Sequence, residues 1–141
     1  MAFGSQGTLF YWSSSTSPTT NNPIGEVKTF NGPSGSAGII DKSHLGSTAK
    51  EKMIGLPDEG QITFECNLLT SAASGQQMMR ADRGTRSQKA WSIILADATV
   101  SPTRLNGVGY CTGFAVSGGV DDVVKASITV EIDGAVSWTT A

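Results

Sequence analysis

The chain's single histidine, His44, follows Asp41-Lys42-Ser43, and serine, histidine and aspartate are the ingredients of nucleophilic acyl chemistry. Here they are near-consecutive in a polar stretch, and no nucleophile-elbow glycines flank Ser43. A triad is assembled in space by the fold, so adjacency in sequence is no argument for one. Two carboxylate pairs, Asp58-Glu59 and Asp121-Asp122, have the groups for general acid–base work. Both stand beside glycines, where aspartate side chains serve the local backbone of turns. Cys66 and Cys111 are far apart and form no CxxC pair, which excludes a zinc site and a disulfide framework. Lying in strand-like segments, they read as small buried hydrophobes of a protein made in a reducing cytosol. Gly32-Pro33-Ser34-Gly35-Ser36 lacks the Gly-Lys-Ser/Thr of a phosphate loop. Gly107-Val108-Gly109-Tyr110-Cys111-Thr112-Gly113 has the wrong spacing for a dinucleotide fingerprint, and no helix follows it. No calcium-loop spacing is visible. The expectation is a protein without catalytic, metal or cofactor residues.

The elements around these residues are mainly strands. At 141 residues the chain suits one domain with a real core. Charged residues make up 16%, well below the usual quarter, while glycine reaches 17 residues. That balance favours strands with many turns, and a surface that meets other protein surfaces, since charge is depleted at interface cores. Ten basic and twelve acidic residues leave a net charge of −2, no general attractant for nucleic acid. No apolar run approaches the roughly 20 residues of a membrane-spanning helix, and the N-terminus lacks the basic and apolar regions of a signal peptide.

Residues 61–68 alternate polar and apolar without a fault, as do residues 124–132, predicting strands with one buried and one wet or contacted face. Asp133-Gly134 then reads as a two-residue hairpin turn into a short last strand, Ala135 to Trp138. Residues 91–96 read as a strand covered on both faces. In residues 105–116, Val108, Tyr110, Thr112 and Phe114 share one face. The glycines share the other, where they admit a close-packed backbone or large side chain. One helix is predicted near residues 74–83, ended by Gly84. Arg80, Arg83, Arg86 and Lys89 lack the aromatic interleaving of a nucleic-acid surface and read as a solvated helix flank or inter-subunit ion pairs.

Two segments resist absorption into a core. Residues 1–23 carry no charged side chain and hold the apolar island Phe10-Tyr11-Trp12. They suit either a loosely held terminus or an arm docking aromatic anchors on a neighbour. Residues 41–58 form a long inter-strand loop, costly in a small domain without a task. With no chemistry in it, the task suggested is contact with another subunit.

The run Ile40-Asp41, Leu45-Gly46-Ser47-Thr48-Ala49-Lys50-Glu51 and Gly55-Leu56-Pro57-Asp58-Glu59-Gly60, ahead of the alternating strand, resembles the lambda-like major tail tube proteins of long-tailed phages. Residues 119–127, leading into the last strand pair, are similar to the same family's C-terminal part, and the likeness spans roughly residues 24–136. The resemblance implies a mainly β (α+β) fold, an antiparallel β-sandwich or barrel-like tail-tube core with one flanking α-helix. It implies a structural virion protein, made in the host bacterial cytoplasm, whose hexameric rings stack into a hollow conduit for the genome. The partners implied are further copies of itself, a tape-measure protein, and the tail terminator and baseplate proteins. DNA would pass without specific binding. The immunoglobulin-like domain that some relatives carry after this core is not expected here.

Under that reading Gln61, Thr63, Glu65, Ser127, Thr129 and Glu131 are expected to face the lumen. Contacts between subunits or rings are expected from Phe10, Tyr11, Trp12, Asp41, Leu45, Lys50, Glu51, Met53, Ile54, Leu56, Arg80 and Arg83. The arms that carry them are expected to order on assembly. Two other classes compete: a capsid-decorating or ligand-binding β-sandwich that does not polymerise, and an OB-like nucleic-acid binder, which needs aromatics on a basic strand face.

Overall fold

The structure is a computed structural model that describes residues 3–4, 6–17, 22–70 and 74–140. Its strands are β1 (Leu9–Trp12), β2 (Val27–Asn31), β3 (Ser36–Asp41), β4 (Lys52–Asp58) and β5 (Gln61–Asn67). Helix α1 (Gly75–Thr85) follows, then β6 (Lys89–Ile94), β7 (Thr103–Ser117) and β8 (Lys125–Thr140). Six strands form one antiparallel sheet in the order β1-β6-β7-β8-β5-β2, while β3 and β4 pair only with each other.

The long sheet curls until its two edges meet. Phe10 on β1 packs edge-on against Phe30 on β2 and Phe64 on β5, with ring centroids 5.0 and 4.9 Å apart. The chain entering β2 finishes the closure: Ile24 N–H donates to the Phe10 carbonyl at 3.0 Å, and Tyr11 bridges Pro23. Inside lie Trp12, Ile62, Phe64, Cys66, Met79, Trp91, Ile93, Leu105, Cys111, Ile128 and Val130. Helix α1 packs against β7 and β1. Its Trp12 neighbour donates Nε1–H to Asp82 Oδ2 at 2.7 Å, tying the edge strand to the helix.

Gln76, fully buried at the start of α1, joins three chain segments. Its Nε2 reaches the carbonyls of Ile24, Gly25 and Asn67 at 2.9–3.2 Å, and its Oε1 accepts from Leu69 N–H at 2.9 Å. Ser74 caps the helix by accepting from Gln77 N–H at 3.4 Å. The helix runs past Gly84 to Thr85, because Arg86 itself takes the left-handed cap conformation at φ 59° and its N–H reaches the Asp82 carbonyl.

Three sequence expectations change. Asp133-Gly134 makes no hairpin: β8 is one strand of 16 residues, and Gly134, at φ 77°, lies in a bulge where the register to β7 slips between Asn106 and Val108. Residues 41–58 are no plain loop, since β4 runs back along β3 to form a hairpin with an irregular tip and a register shift between Ala37 and Ile39. The single alternation read across residues 105–116 is broken by a second bulge at Thr112. Tyr110 therefore stands opposite Glu131 on the outer face, while Phe114 stands opposite Ile128 and packs on the core. The glycines of β7 do admit close neighbours. A Cβ at Gly107 would sit 2.7 Å from Trp91 Cζ2, and one at Gly109 would sit 2.4 Å from the Glu131 carbonyl oxygen.

Candidate functional site

The residues with chemical potential build turns. Ser43 N–H donates to Asp41 Oδ1 at 2.9 Å, and Glu51 N–H donates to Ser43 Oγ at 2.7 Å. His44 Nδ1 accepts from Gly46 N–H at 3.1 Å, so it holds no proton for Asp41, and its Nε2 lies 3.5 Å from Glu51 Oε2. This lattice closes the tip of the β3–β4 hairpin. Asp58 accepts from Gly60 N–H at 2.9 Å, and Asp122 from Val123 N–H at 2.8 Å, with Lys125 Nζ 3.4 Å away. Bonding to Ser43 holds the Asp41 carboxyl below its ordinary range, and the Val123 N–H with Lys125 does the same for Asp122. Burial pushes both thiols up to about 11, leaving Cys66 and Cys111 inert. Among the described residues, no three of His, Cys, Asp and Glu gather as a metal site, and no helix is long and apolar enough to cross a membrane.

What the fold does assemble is surface. Gln61 pairs with Glu131, Thr63 with Thr129 and Glu65 with Ser127, so all six side chains stand on one outer face of β5 and β8. Between them Ile62, Phe64, Ile128 and Val130 turn inward and are buried. The face continues onto β2, where Thr29 and Asn31 oppose Glu65 and Thr63, and onto β7 through Tyr110, Gly113 and Ala115. The charges across these paired positions are the acidic Glu65 and Glu131 and, one pair further along opposite Asn67, Lys125, whose Nζ lies 3.4 Å from Asp122 Oδ2.

The β3–β4 hairpin is the second surface. It leaves the body between β2 and β5, and β4 makes a small contact with β8. Ile39, Ile40, Met53, Ile54 and Leu56 are at least half exposed on it, and Leu45 at its tip is fully exposed. Asp41, Lys50 and Glu51 lie at the tip and are exposed too. A two-stranded ribbon is marginal in water alone, and an apolar patch of this kind marks a contact site. Arg80 and Arg83 are exposed on α1, where Arg80 Nε–H donates to Gln77 Oε1 at 2.9 Å.

The aromatic island is not free to dock elsewhere. Phe10 and Trp12 are buried in this chain's own core and only Tyr11 keeps partial exposure, because β1 is an edge strand of the main sheet and its two inward side chains close the curl. Ile39, Ile40 and the exposed Trp138 were not among the contact residues expected from the sequence. The apolar run from Ala37 to Ile40 was the available signal for the first two, and Trp138 had none.

A curled antiparallel sheet with one flanking helix presents a polar strand face and a projecting apolar hairpin as two surfaces of distinct character. The family described as phage tail tube, lambda-like, matches residues 1–141, and the chain belongs to it. It is thus a structural tail tube protein of the virion, with no catalytic function. No curated protein sequence matches the chain. Its fold is similar to that of a chain from the tail of an empty gene transfer agent particle with C6 symmetry. That pair has 15% identity and a TM-score of 0.75, covering 98% of this chain and 99% of that one. It is also similar to the SPP1 tail tube, at 14% identity and TM-score 0.66, with 95% and 76% covered. A third likeness is to a chain of the sheath/tube terminator of an extracellular contractile injection system, at 16% identity and TM-score 0.70, with 99% and 97% covered.

Proposed function

We propose that this subunit closes into six-membered rings that stack into a hollow tube, with the β5–β8 polar face lining the lumen. The observation that carries the reading is the outer row of Gln61, Thr63, Glu65, Ser127, Thr129 and Glu131, which is polar with two acidic side chains and meets one cation, Lys125, only at its end, where Asp122 pairs with it. A conduit wall of that kind repels phosphates, whereas lysines or arginines there would hold DNA by counterion release and slow its passage. Edges of a β-rich subunit are hazardous when free, and a closed ring hides them. The C6 symmetry of the gene transfer agent tail supports the ring number. The hairpin residues Asp41, Leu45, Lys50, Glu51, Met53, Ile54 and Leu56 then contact another subunit, in the same ring or the next. Arg80 and Arg83 supply ion pairs from the helix. A tape-measure protein would occupy the lumen during assembly, and terminator and baseplate proteins would cap the ends.

Electron microscopy of the purified protein tests this directly. Hollow filaments of uniform diameter are expected from the wild type. Replacing residues 36–58 with a short Gly-Ser link should leave a folded monomer that forms none, since the hairpin contributes little to the core. Tubes from the shortened chain would refute the assignment of the hairpin to assembly.

A further inference from the structure

Strand β8 is far longer than its neighbour on one side. It pairs with β7 along Lys125 to Thr140, but with β5 only from Lys125 to Glu131, and the last bond on that side runs from Ile132 N–H to the Gly60 carbonyl. Among the described residues no strand pairs this edge of residues 133–140. Free edges in natural sheets are usually blunted by lysine, proline or brevity. This one has no charge and no proline from Gly134 onward, and it presents Trp138 at 67% exposure. Trp138 lies opposite the buried Leu105, on the core-facing side of the sheet, yet the described residues leave most of it uncovered.

The hairpin carries the complementary deficiency. Strand β3 pairs with β4 on one edge and, among the described residues, with no strand on the other. Residues 36–40 have neither charge nor proline, and Ile39 and Ile40 are exposed. The outer edge of β4 is the poorer template, because Pro57 lacks an N–H and Lys52 adds a charge. The six residues of β3 are close to the span of the bare end of β8, and Ile39, Ile40 and Trp138 offer exposed apolar side chains to the contact.

We propose that β3 of a second copy adds as a strand to the free edge of β8 at residues 134–140, covering Trp138. This deepens the tail-tube reading and rests on it: polymerisation becomes β-strand addition, with main-chain hydrogen bonds supplying affinity and the apolar side chains supplying fit. The hairpin is then a donor and the end of β8 an acceptor, a heterologous contact that propagates from copy to copy.

Cross-linking between differently marked chains tests it. Ile39→Cys and Ser137→Cys proteins are made separately, both at exposed positions, mixed, assembled and treated with a short bis-maleimide. The native cysteines are buried and stay silent. The expected result is a mixed covalent dimer in the polymer, absent from either variant alone and absent below the assembly concentration. Tubes without this dimer, or with an equivalent one from Thr29→Cys and Ser137→Cys, which would place the β2 edge there, overturn the proposal while leaving the tube reading intact. Failure of the wild type to form tubes overturns both. Should the variants not assemble, hydrogen exchange on the wild type decides. Amides of residues 36–40 and 134–140 should slow by at least about tenfold in the polymer, and unchanged exchange in either segment refutes strand addition.

Discussion

Gln76 shows how one polar side chain can hold a β-rich subunit together. It is buried, and it ties the turn before β2 and the end of β5 to the start of the helix. Gln76→Ala leaves these carbonyls and one amide without partners. The expected cost is about 3 kcal/mol or more in chemical denaturation, because each buried unpaired group forfeits its solvation. A loss under about 1 kcal/mol would mean that the network is replaceable. The two cysteines make a separate prediction. With both thiols buried and raised to about 11, the folded protein should react with a thiol reagent only as fast as it unfolds. Rapid labelling without denaturant would contradict their placement.

At the scale of elements, the β6–β7 connection is closed by the Leu95 N–H donating to the Thr103 carbonyl at 2.9 Å and by one carboxylate. Asp97 Oδ1 accepts from Thr103 N–H at 2.8 Å, and the Thr103 hydroxyl donates to the other oxygen, which lowers the Asp97 pKa. A carboxyl with a folded pKa below its unfolded one stabilises the fold fully above the unfolded value, near about 3.9. That contribution disappears as pH falls through the lower, folded value. Amide exchange at Thr103 should therefore quicken only in this acid window, and Asp97→Ala should remove the transition. Exchange that is flat through the window would show that the connection is held by something else. Bulges matter at this scale as well. The slip at Thr112 sends Tyr110 outward and Phe114 inward, so a single β7 strand serves both the polar face and the core.

For the whole molecule, the question is which way the polar face points in the polymer. Glu65→Lys with Glu131→Lys changes two exposed or half-exposed positions and should leave folding and tube formation intact. Wild-type tubes should not retain DNA at moderate salt. Tubes of the double variant should retain it inside, with an affinity that falls steeply as salt rises. If the variant tubes bind DNA no better than the wild type, the face does not line the channel.

Much of the main sheet was legible in the sequence, because a strand with one buried face must alternate. Residues 61–67 and 125–131 do so without error, and their pairing puts the six predicted polar residues side by side. The helix was predicted within two residues of its observed end. Other features turned on partners distant in sequence. Phe10 and Trp12 were read as possible anchors for a neighbour, but a strand's apolar face declares that it will be buried without saying against what, and Phe30, Phe64 and Asp82 decided it. Asp133-Gly134 has the composition of a tight turn, yet its bulge is set by where β7 runs beside it. The sequence alone determined the local periods and the apolar positions. Only the tertiary structure decided register, which edges stayed open and which apolar side chains found cover, since these depend on contacts between segments far apart in the chain.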